Sequence, residues 1–187
     1  MSHLTRDISS KLLSWKNSST RKPLILKGAR QVGKTFILRE FAKLEFANSH
    51  YFNFEAEPKL ANIFENDLKP QRIINELALS KNALINPSID LIILDEIQNC
   101  PKALTSLKYF AEEMPELAIC SAGSLLGLEL APTSFPVGKV NYLELYPLTF
   151  KEFLFVSRGE ILTDTLLKIA SPQVVISDMA HAQLWRE

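Results

Sequence analysis

Apolar positions along the chain alternate between short continuous runs and helically spaced stripes, which predicts an α/β architecture with a mostly parallel sheet. Leu4, Ile8, Leu12 and Trp15 recur on one face of an opening helix, and Asn17-Ser-Ser-Thr20 separates it from a first strand, Pro23-Leu-Ile-Leu26. A helix is expected from Gly33 onward, with Ile37, Phe41 and Leu44 facing inward. A second strand follows at His50-Tyr-Phe-Asn-Phe54, then two short helical stretches, the latter burying Ile73, Ile74 and Leu77. Ile89-Asp-Leu-Ile-Ile-Leu94 reads as a central strand covered on both faces. Pro101 opens the clearest helix; Ala103, Leu104, Leu107, Phe110, Ala111 and Met114 form its apolar stripe and Pro115 stops it. Residues 117–120 and 137–145 are the fourth and fifth strands. Thr149 and Glu152 have capping-box spacing, so a helix should begin at Phe150. Residues 177–187 read as a last helix without a terminator.

This pattern predicts a core over residues 1–150, with an N-terminal helix at 4–16. A helical extension over 151–187 is read as the truncated start of a following region. Of 187 residues, 47% are hydrophobic and 22% charged, with 21 basic against 21 acidic side chains. That is the composition of a soluble globular protein. A net charge of zero argues against a polyanion-binding surface, so nucleic acid is expected to be an unlikely partner. No apolar run approaches the roughly 18 residues of a membrane span, and the N-terminus is polar where a secretory signal needs an apolar stretch. Cys100 and Cys120 are too few for a disulfide scaffold and too far apart for a metal knuckle. A cytoplasmic setting is expected.

The chemistry concentrates in Gly28-Ala-Arg-Gln-Val-Gly-Lys-Thr35, a full G-x-x-x-x-G-K-[ST] match between a strand and a helix. Its glycines let successive backbone N–H groups turn toward phosphate oxygens, and the helix start adds its positive dipole end. Gly28, Ala29, Arg30, Gln31, Val32, Gly33, Lys34 and Thr35 are therefore the candidate nucleotide-binding residues. Lys34 can reach the β- and γ-phosphates, and the Thr35 hydroxyl can ligate Mg²⁺. The central strand ends in Asp95-Glu96. Strand alternation sends the two acids in different directions: Asp95 toward Mg²⁺, Glu96 toward the attacking water. The intervening strand predicts the P-loop division with an additional strand and a catalytic glutamate: a parallel five-stranded sheet sandwiched by helices. Its fourth strand then lies between the phosphate-loop strand and the acidic strand. Ser121 or Ser124 at that strand's tip can sense the γ-phosphate, Ser121 being preferred; the plain alternative for Ser121-Ala-Gly-Ser124 is a turn.

Together, Trp15, Arg21-Lys-Pro-Leu-Ile-Leu-Lys-Gly-Ala-Arg-Gln-Val-Gly-Lys-Thr35, Leu94-Asp-Glu-Ile-Gln98, Ser121-Ala-Gly-Ser124 and Leu145-Tyr-Pro-Leu-Thr-Phe-Lys-Glu-Phe153 resemble one family. These are the AAA-type P-loop ATPases of bacteria and archaea that carry a C-terminal domain of unknown function. The resemblance covers nearly the whole chain. It implies ATP rather than GTP, Mg²⁺, and hydrolysis dependent on a homo-oligomer or an unknown protein partner. The chain departs from the family in two places. Gly138-Lys139 stands where members have Gly-Arg before the fifth strand, and no arginine occurs between Arg72 and Arg158. Because an arginine finger is worth about 10³–10⁵ in rate, Lys139 predicts slow turnover unless its position is structural. Members also continue beyond the end of this chain, which is expected to be the ATPase half.

Other residues have modest expectations. Arg30 can hold a neighbouring acid, Asn53 and Glu55 end the second strand near the site, and Cys120 is a small core residue. Cys100 opens a helix and is expected to be somewhat reactive, while His50 has no second ligand at metal spacing. Trp15 and Arg21 either flank an adenine or, for Trp15, pack in the core. Three functions compete: a slow Mg-ATPase using Lys34, Thr35, Asp95 and Glu96; a nucleotide-dependent switch with little hydrolysis; and a nucleic-acid motor.

Overall fold

The computed structural model describes residues 6–124 and 138–158, together with Thr163. Among these residues the strands are β1 (Leu24–Gly28), β2 (Asn48–Asn53), β3 (Asp90–Asp95), β4 (Ala118–Ser124) and β5 (Asn141–Glu144). They pair in parallel in the order β2-β3-β4-β1-β5. The helices among them are α1 (Ile8–Lys16), α2 (Lys34–Glu45), α3 (Pro70–Lys81) and α4 (Pro101–Glu113), and α5 (Phe150–Arg158) follows the last strand. The fourth strand lies between the loop-bearing β1 and the acidic β3, as expected.

Strand alternation divides the core of the Ile8–Tyr146 unit into two layers. Leu24, Leu26, Leu91, Ile93, Ala118 and Cys120 pack with Ile8, Leu12 and Trp15 of α1 and Ile37, Leu38 and Phe41 of α2. On the other face Ile25, Ile92, Leu94 and Ile119 pack with Ile73, Ile74 and Leu77 of α3 and Leu104, Leu107 and Phe110 of α4. Leu44 departs from expectation: it is 62% exposed, and Leu38 is buried in its place. The inward stripe of α2 runs through Lys34, Ile37, Leu38, Phe41 and Ala42, one step round from the predicted face. Ala111 is half-buried, and Met114 completes the α4 stripe just past the helix.

Pairing, rather than the apolar run alone, sets the strand bounds. Register from Asn48↔Asp90 to Asn53↔Asp95 draws both polar ends into β2 and β3. β4 continues through Ser121-Ala-Gly-Ser124 because each of these residues pairs with β1, up to Gly28↔Ser124; the segment is a strand and not a turn. β5 is shorter than predicted, and Val137, like residues 177–187, lies outside the described residues. Among the described residues no helix is long and apolar enough to cross a membrane.

Among the described residues, Arg6, Asp7 and those from Pro147 onward belong to a second unit. Here the predicted capping box forms: the Glu152 N–H donates to Thr149 Oγ1 at 3.2 Å, and the Thr149 N–H to Glu152 Oε2 at 2.8 Å. Arg6 Nε and the Asp7 N–H each donate to Glu152 Oε1 at 3.0 Å. Burial alone would raise the Glu152 carboxyl, but the Thr149 and Asp7 amides and Arg6 outweigh it and hold it low.

Candidate functional site

β1 ends at Gly28, where a Cβ would overlap the Leu145 carbonyl oxygen and meet Val32 Cγ2 at 3.2 Å. Glycine is required there for close approach to the chain leaving β5. Beyond it, Gln31 (φ 63°) and Gly33 (φ 95°) take left-handed backbone conformations, which curl the loop. Gly33 is the N-cap of α2; no side chain caps it and no acid occupies the first turn. The first N–H groups of α2 are thus left for an anion, whereas α5 closes its own start with Thr149 and Glu152. Val32 turns the other way and packs on the α1–α2 core layer.

Lys34, 7% exposed, folds back into the loop, donating from Nζ to the carbonyl oxygens of Gly28 at 3.0 Å and Ala29 at 2.7 Å. Burial pulls its ammonium below the ordinary lysine value, against the carboxylates of Glu96 and Asp95 and together with the Arg30 guanidinium. The loop backbone therefore holds a cation in the cradle that faces the helix start.

Asp95 ends β3 at 2% exposure. Its Oδ2 accepts from Thr35 Oγ1 at 2.7 Å and Tyr51 Oη at 2.7 Å, while Oδ1 accepts from the Glu96 N–H at 3.0 Å. A hydroxyl and a carboxylate 2.7 Å apart at a cleft edge are hard oxygen donors suited to a small divalent cation. Burial, then the bond to Asp95, pushes the Tyr51 phenol above its ordinary value, so it stays a proton donor at neutral pH. Glu96 follows in the left-handed region (φ 51°, ψ 44°), and Gln98 Nε2 donates to its Oε2. Glu96 thus lies past the end of β3, and a left-handed turn rather than strand alternation sets it relative to Asp95.

A cleft of about 420 Å³ opens here, lined by Arg30, Gln31, Gly33, Lys34 and Thr35 with Phe36 and the acids Glu55 and Glu96. Asn53 Oδ1 accepts from the Glu55 and Ala56 N–H groups, so it forms the turn that brings Glu55 to the cleft. A wider hollow of about 730 Å³ beside α3 holds none of the predicted residues and is mainly apolar; the chemistry lies in the smaller cleft.

Several predicted residues lie elsewhere. Ser121 is fully buried inside β4 opposite Ile25 and Leu94, with an unpartnered Oγ, whereas Ser124 reaches the strand tip opposite Gly28. Lys139 precedes β5 at the sheet edge opposite the loop, paired with Glu112 Oε1 at 2.8 Å. Trp15 is core, its indole N–H bonded to the Lys22 carbonyl oxygen, and Arg21 donates to the carbonyls of Lys16 and Glu116. Trp15 thus takes the core role, and Arg21 lies ahead of the N-terminal end of β1. Cys100 is 2% exposed and burial raises its thiol, so it is not the reactive cysteine expected; Cys120 is raised further for the same reason. His50 has a partner after all, Asp90 Oδ2 at 3.0 Å. Tyr51 was missed altogether, because its reach to Asp95 depends on β2 pairing with β3 in the sheet.

A parallel sheet with this strand order, a glycine loop running into an uncapped helix and a buried acid at the end of β3, one strand removed from the loop-bearing β1, define the P-loop NTPase fold. Residues 20–154 match the family model of an AAA domain, and the chain belongs to that family. No curated protein matches it. Among solved structures it is similar to Drosophila ORC bound to DNA, at 16% identity and a TM-score of 0.50, over 86% of this chain and 47% of that one. It is also similar to the Aeropyrum pernix ORC1 protein in complex with DNA, at 16% identity and a TM-score of 0.49, over 95% and 63%. At such identities the likeness shows the fold alone, and the chain spans less than two thirds of either neighbour. One expectation is corrected by it. The expectation that nucleic acid is an unlikely partner does not stand, because a similar solved structure is that of Drosophila ORC bound to DNA. The earlier inference used net charge, but contact with DNA depends on local charge at one surface, which a zero total leaves undetermined.

Proposed function

We propose that this AAA domain binds Mg-ATP in the cleft and hydrolyses it slowly. The observation that carries the reading is the 2.7 Å bond from Thr35 to Asp95, which joins the end of the phosphate loop to the end of the acidic strand at the cleft edge. The N–H groups opening α2 and the cations Lys34 and Arg30 hold the phosphates. Lys34 exchanges its loop carbonyls for phosphate oxygens, which brings no new charge into the loop. Thr35 and Asp95 would hold Mg²⁺, which when bound neutralises phosphate charge and fixes the geometry of attack. Glu96 orients the attacking water and takes its proton. The register of β4 supports Ser124 over Ser121 as the polar contact to the terminal phosphate. Lys139, paired with Glu112 at the opposite edge, supports a homo-oligomer or an unknown protein partner as the source of further charge. Two separate buried thiols suit a cytoplasmic setting.

Steady-state phosphate release from Mg-ATP tests the reading, with Glu96→Gln and Lys34→Ala beside the wild type. Turnover that both substitutions abolish supports it; release indifferent to both overturns it. The Gln98–Glu96 bond favours a second reading, a nucleotide switch whose acid is parked. In that case nucleotide raises the melting temperature while release stays at background. Duplex DNA is tested alongside by anisotropy over a salt series, with and without ATP.

A further inference from the structure

We infer that Tyr51 is a positioning residue for magnesium: it holds the Asp95 carboxylate in the rotamer that meets the cation. This rests on the Mg-ATP reading of the cleft and assigns it a residue outside both nucleotide motifs.

Asp95 is the last residue of β3 and 2% exposed, so few groups can reach its carboxylate. Two hydroxyls converge on the same oxygen, Oδ2: Thr35 Oγ1 and Tyr51 Oη, each at 2.7 Å. They are not equivalent. Thr35 stands in the first turn of α2, and its oxygen is itself a candidate ligand. Tyr51 stands on β2, next to β3 in the sheet, paired in register with Ile93, and its backbone is fixed by that ladder. The phenol is held from two further directions. Asn53 Nδ2 donates to Tyr51 Oη at 3.1 Å, which directs the phenolic proton toward Asp95. The Arg39 guanidinium lies 3.9 Å from the ring centroid and fixes the ring plane from the α2 side. Asn53 also forms the turn carrying Glu55 to the cleft, so β2 supports two acids at the site.

Without Tyr51 the carboxylate keeps one bond from the Thr35 hydroxyl, itself a candidate ligand, and one to the amide of the next residue, Glu96. It can then rotate away from the cation. Partners of this kind, one step behind the metal ligands, are typically worth about 10–100-fold in metal affinity.

The test uses the full chain and Tyr51→Phe, which keeps the ring beneath Arg39 and removes only the hydroxyl. A fluorescent ADP is titrated without magnesium, and Mg²⁺ is then titrated into the complex. The Mg²⁺ concentration at half-saturation should rise about tenfold. Magnesium-free ADP affinity should stay within twofold, a split that general loosening of the fold would not produce. In an Asp95→Ala background the same substitution should add nothing. Arg39→Ala, a second variant that leaves the hydroxyl in place, should shift the Mg²⁺ requirement in the same direction by less. If Tyr51→Phe and Arg39→Ala both match the wild type in Mg²⁺ requirement, or lose magnesium-free affinity equally, the inference falls and the nucleotide reading stands. If the wild type shows no nucleotide binding or no Mg²⁺ dependence, that reading falls and takes this inference with it.

Discussion

Two aspartates at the ends of one strand show how the same side chain becomes structure in one place and a site in another. Asp90 opens β3 and Asp95 closes it; they are 1% and 2% exposed. Asp90 accepts from the Asn86 N–H at 2.8 Å, from His50 Nε2 at 3.0 Å and from Asn48 Nδ2 at 3.0 Å. Those donors are a backbone amide, a buried imidazole and an exposed side-chain amide, and none of them lines the cleft. Asp95 instead draws on two hydroxyls, one of which, that of Thr35, lines a cleft. A hydroxyl can donate to a carboxylate and still offer a lone pair to a cation. Burial is equal; the chemistry of the donors and the open cleft differ.

The strongest way to break this comparison is to remove each charge in turn. Asp95→Asn should lower phosphate release about 100-fold or more, with the melting temperature nearly unchanged. A loss of folding with intact turnover would reverse the assignment. Asp90→Ala should do the opposite. It strands His50 and two amide donors, costing about 3 kcal/mol in urea unfolding, while ADP affinity stays within twofold.

Gly28→Ala sharpens the contrast on the loop side. The added methyl meets the Leu145 carbonyl, so we expect a loss of about 1–3 kcal/mol and weaker nucleotide binding together. Unchanged stability would mean that the loop and the chain after β5 separate readily.

A smaller effect is expected in acid. Burial raises the Asp90 carboxyl, but the Asn86 N–H, His50 and Asn48 outweigh it and hold it below the ordinary carboxylate value. A lowered carboxyl stabilises the fold fully above its unfolded value, near 3.9, and loses that contribution as pH falls through the native value. Stability of Asp90→Asn should therefore fall less steeply below about pH 4 than that of the wild type. Glu152, lowered in the second unit, acts in both proteins and cancels in the difference. Parallel urea curves across that range would remove Asp90 from the acid limb.

The smallest expected effect is at Lys139→Ala, which should leave single-chain turnover and melting temperature within error, since the pair with Glu112 is exposed and remote from the cleft. A large loss of turnover at high protein concentration alone would instead show the lysine acting on a neighbouring copy.

Local sequence carried much of this protein. Continuous apolar runs mark the central strands because a strand covered on both faces must be apolar on both, and the glycine loop is legible because its glycines answer to backbone requirements. The Thr149–Glu152 cap was readable for a similar reason: both partners lie within one helical turn. Interactions across the sheet were not readable in this way. Nothing near His50 announces Asp90, nothing near Tyr51 announces Asp95, and the loop-like string Ser121-Ala-Gly-Ser124 becomes a strand only because β1 is there to pair with it. The same holds for Lys139, whose distance from the phosphate loop follows from the direction in which β5 runs. Spacing along a chain constrains neighbours within a turn or a strand. Which distant side chains share one carboxylate depends on strand order and register, and these exist only once the sheet has formed.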